Sequence, residues 1–368
     1  MSREQQAFLC VADISGYTGY LNDSEIEHAR GTLTDLLELL VDRAGPPMRV
    51  SKLEGDAVFS YAFEDAFTDG RTFLDLIEGT YIAFRRAIDL MVLNNTCQCN
   101  ACANVSSLDL KFVIHFGSFI VQHVGSFDEL LGSDVNLVHR LLKNTVTERL
   151  RVHAYCLYTE QCWRQLGLQN VTSLEEHDED IPDFGLVTTY IQDLGEVYQR
   201  TELPDITLDD SKLLLTQEAD LPMSPAVVWD YLSSPTFRKI LIGAERVEIS
   251  DRVGGRVDVG TVYQCYHGSR RTPQKILQWE PFTKVVTEDT FPKPMEGSGI
   301  VVTRLEETSS GTHLTRQWGS LRGPFWMRAL FPIAVIFIKR MASQMLDDFV
   351  EAITADHLKK SQPIGSTP

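Results

Sequence analysis

The sequence predicts an α+β protein of two units, each an antiparallel sheet backed by helices. Three observations lead there. In the first half, stretches with helical apolar spacing alternate with short strand pairs. In the second half the rhythm changes to a strand, a short helix, a run of strands and one long helix. The 368 residues also exceed what one ordinary core organises. The expected division is 1–200, a linker over 201–211 with Pro204 and several aspartates, a second unit over 212–358, and a tail over 359–368.

The elements follow in chain order. Phe8 to Ala12 is an apolar run breaking at Asp13-Ile14-Ser15-Gly16, a buried strand entering a loop. Ser24 and Glu27 have capping-box spacing, and Ala29, Leu33, Leu36, Leu37 and Leu40 then recur at helical spacing until Gly45-Pro46-Pro47. Arg49–Leu53 and Ala57–Ala62 form a hairpin around Glu54-Gly55-Asp56. A second helix covers 71–93. Leu108–Phe116 and Ser118–Val124 read as a hairpin turning at Gly117, and 132–146 as a helix. Strands follow near Ala154–Tyr158 and Leu186–Leu194, and the acidic stretch 172–183 between them reads as a solvated loop. In the second half, Ser224-Pro225 opens a short helix, with Ser as cap and Pro at the first helical position. Strands are expected over 246–250, 261–267, 274–279, 284–289, 298–306 and 312–318, then a long helix from about Phe325 to His357.

Composition narrows the function. The net charge of −17 disfavours broad contact with nucleic acid or anionic membrane. The longest apolar run, Ala329 to Ile338, is too short to span a bilayer, and the polar start Met-Ser-Arg-Glu-Gln-Gln carries no signal-peptide pattern. An odd count of seven cysteines fits reduced thiols. The expectation is a cytoplasmic protein.

Four segments carry the chemistry: 8–18 with Asp13 and Ile14, 51–57 with Lys52 and Asp56, 113–117, and 132–141 with Asn136 and Arg140. Aspartates at strand ends are hard oxygen ligands for a divalent cation. Asn136 and Arg140, four apart, share a helix face from which an arginine can neutralise a phosphoryl group. Taken singly, each reads better as an ordinary turn or helix-face residue. Together and in this order, across Ala7 to Val146, the segments resemble the class III adenylate and guanylate cyclase catalytic domain, a ferredoxin-like α+β sandwich.

The resemblance implies that Asp13, Asp56 and the Ile14 carbonyl hold Mg²⁺ or Mn²⁺. It implies that Lys52 and Glu129 read the base, with lysine favouring ATP. Asn136 would orient the ribose, and Arg140 would stabilise the transition state. It further implies a homodimer with sites at its interface, where the ribose 3′-hydroxyl attacks the α-phosphorus and pyrophosphate leaves. Two departures stand out: Val138 and His139 replace small residues, and Ser118–His123 replaces a glycine-rich stretch.

Cys97, Cys99 and Cys102 form a C-x-C-x-x-C cluster able to bind structural Zn²⁺ if His115, His123 or Cys156 supplies a fourth ligand, or to remain free thiols. The second half resembles the START-like helix-grip fold of the polyketide cyclase type, which implies an apolar small molecule or lipid as ligand. Its aromatic load, Trp229, Trp279, Trp318, Phe325, Trp326, Phe331 and Phe337, serves either core packing or such a cavity. Two readings lead, ahead of a third in which the second unit is an enzyme on an apolar substrate and the first is purely structural. One is an adenylate cyclase joined to an apolar-ligand domain. The other is a cyclase-like domain that senses nucleotide without turnover, joined to the same module.

Overall fold

The computed structural model describes residues 4–361 except 23, 68–69, 96, 98, 126, 201–204, 253–254, 292–296 and 323–326. The described residues fall into two compact units, one within 1–66 and 73–202, the other within 67–72 and 203–368.

The first unit is built on β1 (Gln5–Ser15), whose residues from Ala7 to Ala12 are all buried. It pairs antiparallel with β3 (Ala57–Phe63) on one side and β4 (Asp109–Val124) on the other. A short helix α1 (Tyr17–Asn22) and a longer one α2 (Ile26–Arg43) follow β1, and β2 (Arg49–Glu54) pairs with β3. After α3 (Thr72–Leu93) and α4 (Asn100–Asn104) come β4, β5 (Phe127–Leu131), α5 (Ser133–Arg140) and α6 (Val146–Leu150). The unit closes with β6 (Tyr155–Thr159), α7 (Glu160–Gln165), β7 (Leu174–Ile181), β8 (Gly185–Asp193) and α8 (Leu194–Gln199). The sheet order is β2-β3-β1-β4-β6-β8-β7, with β5 on β4 and a parallel pairing of β4 with β6. Leu9, Val11, Phe59, Val113, Leu157 and Val138 meet in its core. Each such side chain contributes about 1.5–3 kcal/mol on burial.

Four sequence expectations change here. Gly117 is not a turn: β4 runs through it as one strand paired with β1, and glycine stands there because a Cβ would lie 2.5 Å from the Asp134 side chain. The helix expected over 132–146 stops at Arg140, since Asn144 bonds back to the Leu141 carbonyl and accepts from the Val146 N–H and the Tyr155 hydroxyl. The acidic stretch 172–183 holds strand β7. Its alternation is hidden because the inward residues His177 and Glu179 are themselves polar. Glu179 accepts from the Thr145 N–H at 2.7 Å and the Thr145 hydroxyl at 3.0 Å, and it pairs with His177 Nε2 at 3.0 Å. Finally, α2 begins with Glu25 as its N-cap rather than through a Ser24 capping box, and the Glu25 carboxylate instead accepts from the Ala101 N–H.

The second unit is a sheet in the order β10-β11-β12-β13-β14-β15-β9, antiparallel throughout. Its elements are β9 (Leu215–Leu221), α9 (Pro225–Ser233), α10 (Pro235–Leu241), β10 (Arg246–Asp251), β11 (Val262–His267), β12 (Arg270–Glu280), β13 (Lys284–Phe291), β14 (Gly297–Thr308), β15 (Gly311–Trp318) and α11 (Met327–Ser361). Ala342, Leu346, Phe349 and Ile353 are buried on α11 at helical spacing, so one stripe of that helix lies on protein. Trp229 and Trp279 pack together with ring centres 4.5 Å apart. A cavity of about 240 Å³, lined by Leu214, Cys265, Trp318, Ile338, Ala342 and Met345 among others, lies in this unit. Phe325 and Trp326, and the side chains of Phe331 and Phe337, lie outside the described residues. Among the described residues no helix is long and apolar enough to cross a membrane.

Candidate functional site

The first group of site residues forms where β1 ends. Asp13 lies opposite Ala57 in the register, and the Ile14 N–H donates to the Asp56 carbonyl at 3.2 Å. The turn carrying Asp56 is thereby held against the strand carrying Asp13. Partial burial raises the Asp56 carboxyl above its ordinary range, and the neighbouring negative charge of Asp13 raises it further. Two half-buried carboxylates that repel one another are a donor set that suits a divalent cation.

A residue not anticipated from sequence stands beside them. Lys111, opposite Asp13 in the β1–β4 register, places Nζ 3.1 Å from Asp13 Oδ2. It lowers the Asp56 carboxyl as well, as the smallest of the influences on that group.

The second group forms across β2, β5 and α5. Lys52 Nζ lies 3.0 Å from both Glu54 Oε1 and Glu129 Oε2. Its pKa is raised: burial alone would lower it, and the hydrogen bonds and charges of Glu129 and Glu54 outweigh that. Glu54 also reaches His139 Nδ1 on α5 at 3.1 Å. The His139 ring stands edge-on to Phe59 at 4.8 Å, and burial lowers its pKa, which favours the neutral imidazole near neutrality. His139 therefore ties α5 to β2. Glu54 was missed in the sequence, although it sits two residues from Lys52 and so on the same face of β2.

Asn136 and Arg140 are exposed on α5, and among the described residues neither side chain makes a hydrogen bond or ion pair. The helix itself is anchored by Asp134. Its Oδ2 accepts from the Ser118 N–H at 2.6 Å, and its Oδ1 lies 3.6 Å from His115 Nε2. A single chain thus assembles Asp13, Ile14 and Asp56 in one place and Lys52 and Glu129 in another. Asn136 and Arg140 face solvent.

The cysteine cluster acquires a different fourth residue from those expected. His28, in the first turns of α2, places Nδ1 3.1 Å from Cys99 Sγ, 3.6 Å from Cys97 Sγ and 3.9 Å from Cys102 Sγ. His115 is instead buried against Thr159 and Asp134, His123 pairs with Asp128, and Cys156 is fully buried in β6. Nothing local in the sequence links His28 to residues 97–102. Only the return of α2 past α4 brings them together. Hydrogen bonds from the Cys99 backbone and side chain lower the Cys97 thiol, while Cys99 and burial push Cys102 up to about 11.

Comparison with known proteins gives three findings. A family described as "Protein of unknown function (DUF2652)" matches residues 33–150, a span holding Lys52, Asp56, the cysteines, Asn136 and Arg140 but not Asp13. The uncharacterised protein Rv2561/Rv2562 of Mycobacterium tuberculosis is 32% identical over 179 residues, covering 47% of this chain and 78% of that protein. Among solved structures, a bacterial light-regulated adenylyl cyclase is 14% identical over 54% of this chain and 57% of its own, with a TM-score of 0.41. The adenylyl cyclase CyaB from P. aeruginosa is 16% identical over 52% of this chain and 96% of its own, with a TM-score of 0.39. This chain spans little more than half the length of the light-regulated cyclase.

Proposed function

The chain belongs to the family of the uncharacterised Mycobacterium tuberculosis protein Rv2561/Rv2562, and we propose that it is an adenylate cyclase acting as a homodimer, with an apolar-ligand domain of START-like type in its second unit. The observation that supports this most is the meeting of the Asp13 and Asp56 carboxylates at the end of β1, where burial and the charge of Asp13 raise the Asp56 carboxyl although Lys111 already pairs with Asp13. Asp13, Asp56 and the Ile14 carbonyl would hold Mg²⁺ or Mn²⁺, which when bound neutralises triphosphate charge and makes the attacking hydroxyl more acidic.

The chain's own groups account for the rest. The Lys52 ammonium donates to a ring-nitrogen acceptor on the base, while Glu129 accepts from an exocyclic amino group. That donor–acceptor order matches adenine and opposes guanine. Glu54 keeps Lys52 charged and aimed, and through His139 fixes its distance from α5. Asn136 orients the ribose and Arg140 meets the charge that develops on the α-phosphoryl group. The 3′-oxygen–phosphorus bond forms, the α–β phosphoanhydride bond breaks with release of pyrophosphate, and the hydroxyl proton passes to solvent water. Because Asn136 and Arg140 project into solvent, a second chain is the natural source of the carboxylates they would face.

Lys111 favours a second reading, a nucleotide-sensing domain without turnover, because its ammonium already supplies positive charge at Asp13. Assay of ATP and GTP conversion with Mg²⁺ or Mn²⁺, beside Asp13→Ala and Arg140→Ala, separates the two. Cyclic AMP lost in both variants supports the cyclase, whereas nucleotide binding without product supports the sensor. The cavity beside Trp318 and Met345 is the proposed seat of the apolar ligand.

A further inference from the structure

We infer that His28, Cys97, Cys99 and Cys102 form a closed zinc site that clasps α2 to the segment entering α4. One ligand atom from each of the four residues lies within 4.8 Å of every other. A tetrahedral zinc ion with Zn–S about 2.3 Å and Zn–N about 2.0–2.1 Å requires nitrogen–sulfur separations of about 3.6 Å. The separations from His28 Nδ1, 3.1, 3.6 and 3.9 Å, bracket that value. Adjustments of a few tenths of an ångström, within side-chain reach, bring all four donors into place.

The donor set selects the ion. Three thiolates and an imidazole are soft to borderline ligands, which disfavours magnesium, manganese and calcium and favours zinc. Four protein ligands complete a tetrahedron and leave no position for substrate, so the site is structural. The surroundings suit it. The Cys102 N–H donates to Cys99 Sγ at 3.4 Å, a bond that stabilises thiolate, and the Ala101 N–H donates to the Glu25 carboxylate at 3.2 Å. Glu25 and His28 are three residues apart on the leading turn of α2, so that turn grips the cysteine segment at two points.

The clasp lies on the path that fixes the end of β1. Gly16, two residues beyond Ile14, takes φ +86° and packs so closely on the Ser107 carbonyl that a Cβ there would stand 3.0 Å from it. Ser107 closes the stretch that begins with Cys97 and α4. Zinc at the cluster therefore steadies the surface on which Gly16, just past the end of β1, rests. This inference does not depend on the cyclase reading.

The test is metal content of the purified full-length chain by plasma mass spectrometry, for wild type, His28→Ala, Cys99→Ser and His28→Cys. About one zinc per chain is expected in wild type, with loss of at least about nine-tenths in His28→Ala and Cys99→Ser and retention in His28→Cys. Cobalt(II) loaded in place of zinc should give thiolate charge-transfer and tetrahedral ligand-field bands that shift in His28→Cys. Should the alanine and serine variants fail to fold, chelator added to wild type reads the same site: zinc release should come with a lower melting temperature. Folded wild type without zinc overturns the inference. So does full zinc content in His28→Ala, or alkylation mass mapping that finds a disulfide among the three cysteines.

Discussion

Gly117→Ala should release the helix that carries Asn136 and Arg140. The added Cβ would stand 2.5 Å from Cβ and Oδ2 of Asp134 and 2.6 Å from its Cγ. Because Cβ of Asp134 is fixed by the α5 backbone, rotating the carboxylate cannot relieve the clash. β4 and α5 are pushed apart, and the Asp134–Ser118 hydrogen bond breaks with them. Overpacking costs about 1–3 kcal/mol, and a buried hydrogen bond to a charged group is worth about 1.5–3 kcal/mol. Asp134 is one-third exposed, which places the loss toward the lower part of the sum, about 3–4 kcal/mol. For a unit of this size that lowers the melting temperature by about 6–16 °C. Urea and thermal denaturation give the number. The double variant with Asp134→Gly tests its origin, since removing Cβ of residue 134 removes the obstacle. Gly117→Ala should then cost under about 1 kcal/mol in that background. A cost equally large with and without Asp134 would refute the steric reasoning.

Other outcomes follow from the same geometry. Lys52→Ala should lower kcat/KM for ATP about 10- to 100-fold, the worth of one charge-assisted hydrogen bond, and erase any preference over GTP; steady-state kinetics with both nucleotides reads it. Asp56→Asn should raise the melting temperature of metal-free protein. The folded-state pKa of Asp56 is raised, so its destabilising effect is absent below the ordinary carboxylate pKa and grows as pH rises through the folded value. The gain should therefore be larger at pH 7 than near pH 4.5 by scanning calorimetry, and a gain independent of pH would contradict this cause. Glu179→Ala strands the Thr145 N–H and hydroxyl and should cost about 2–4 kcal/mol in urea unfolding. Its exposed neighbour Asp178→Ala should stay within about 0.5 kcal/mol.

What the sequence made legible was local and apolar. The run Phe8–Ala12 declares a buried strand, and Ser224-Pro225 declares a helix start that the structure keeps. Asp56 falls in the expected hairpin turn, whereas β1 runs on through Asp13 to Ser15 where a loop was expected, because β4 continues to pair with it. What stayed hidden depended on partners far along the chain. Gly117 resembles a turn until Asp134, seventeen residues on, is seen to fill the space a side chain would take. Strand β7 resembles a loop because its inward face carries His177 and Glu179, polar residues satisfied by one another and by Thr145 in the turn before α6. Lys111 meets Asp13 only through the β1–β4 register, and His28 meets the cysteines only through the path of α2. Short-range pattern reports burial, but long-range pairing decides which polar groups share a site.

The central claim is that two chains complete each other's site, and complementation tests it most directly. Asp13→Ala and Arg140→Ala, each inactive alone, are mixed under conditions that exchange subunits, and cyclic AMP formation from ATP is followed. A mixed dimer holds one site with both defects and one with neither, so activity should return to about a quarter of wild type. No recovery from a mixture shown to contain mixed dimers, beside an active wild type, would contradict a site shared between chains.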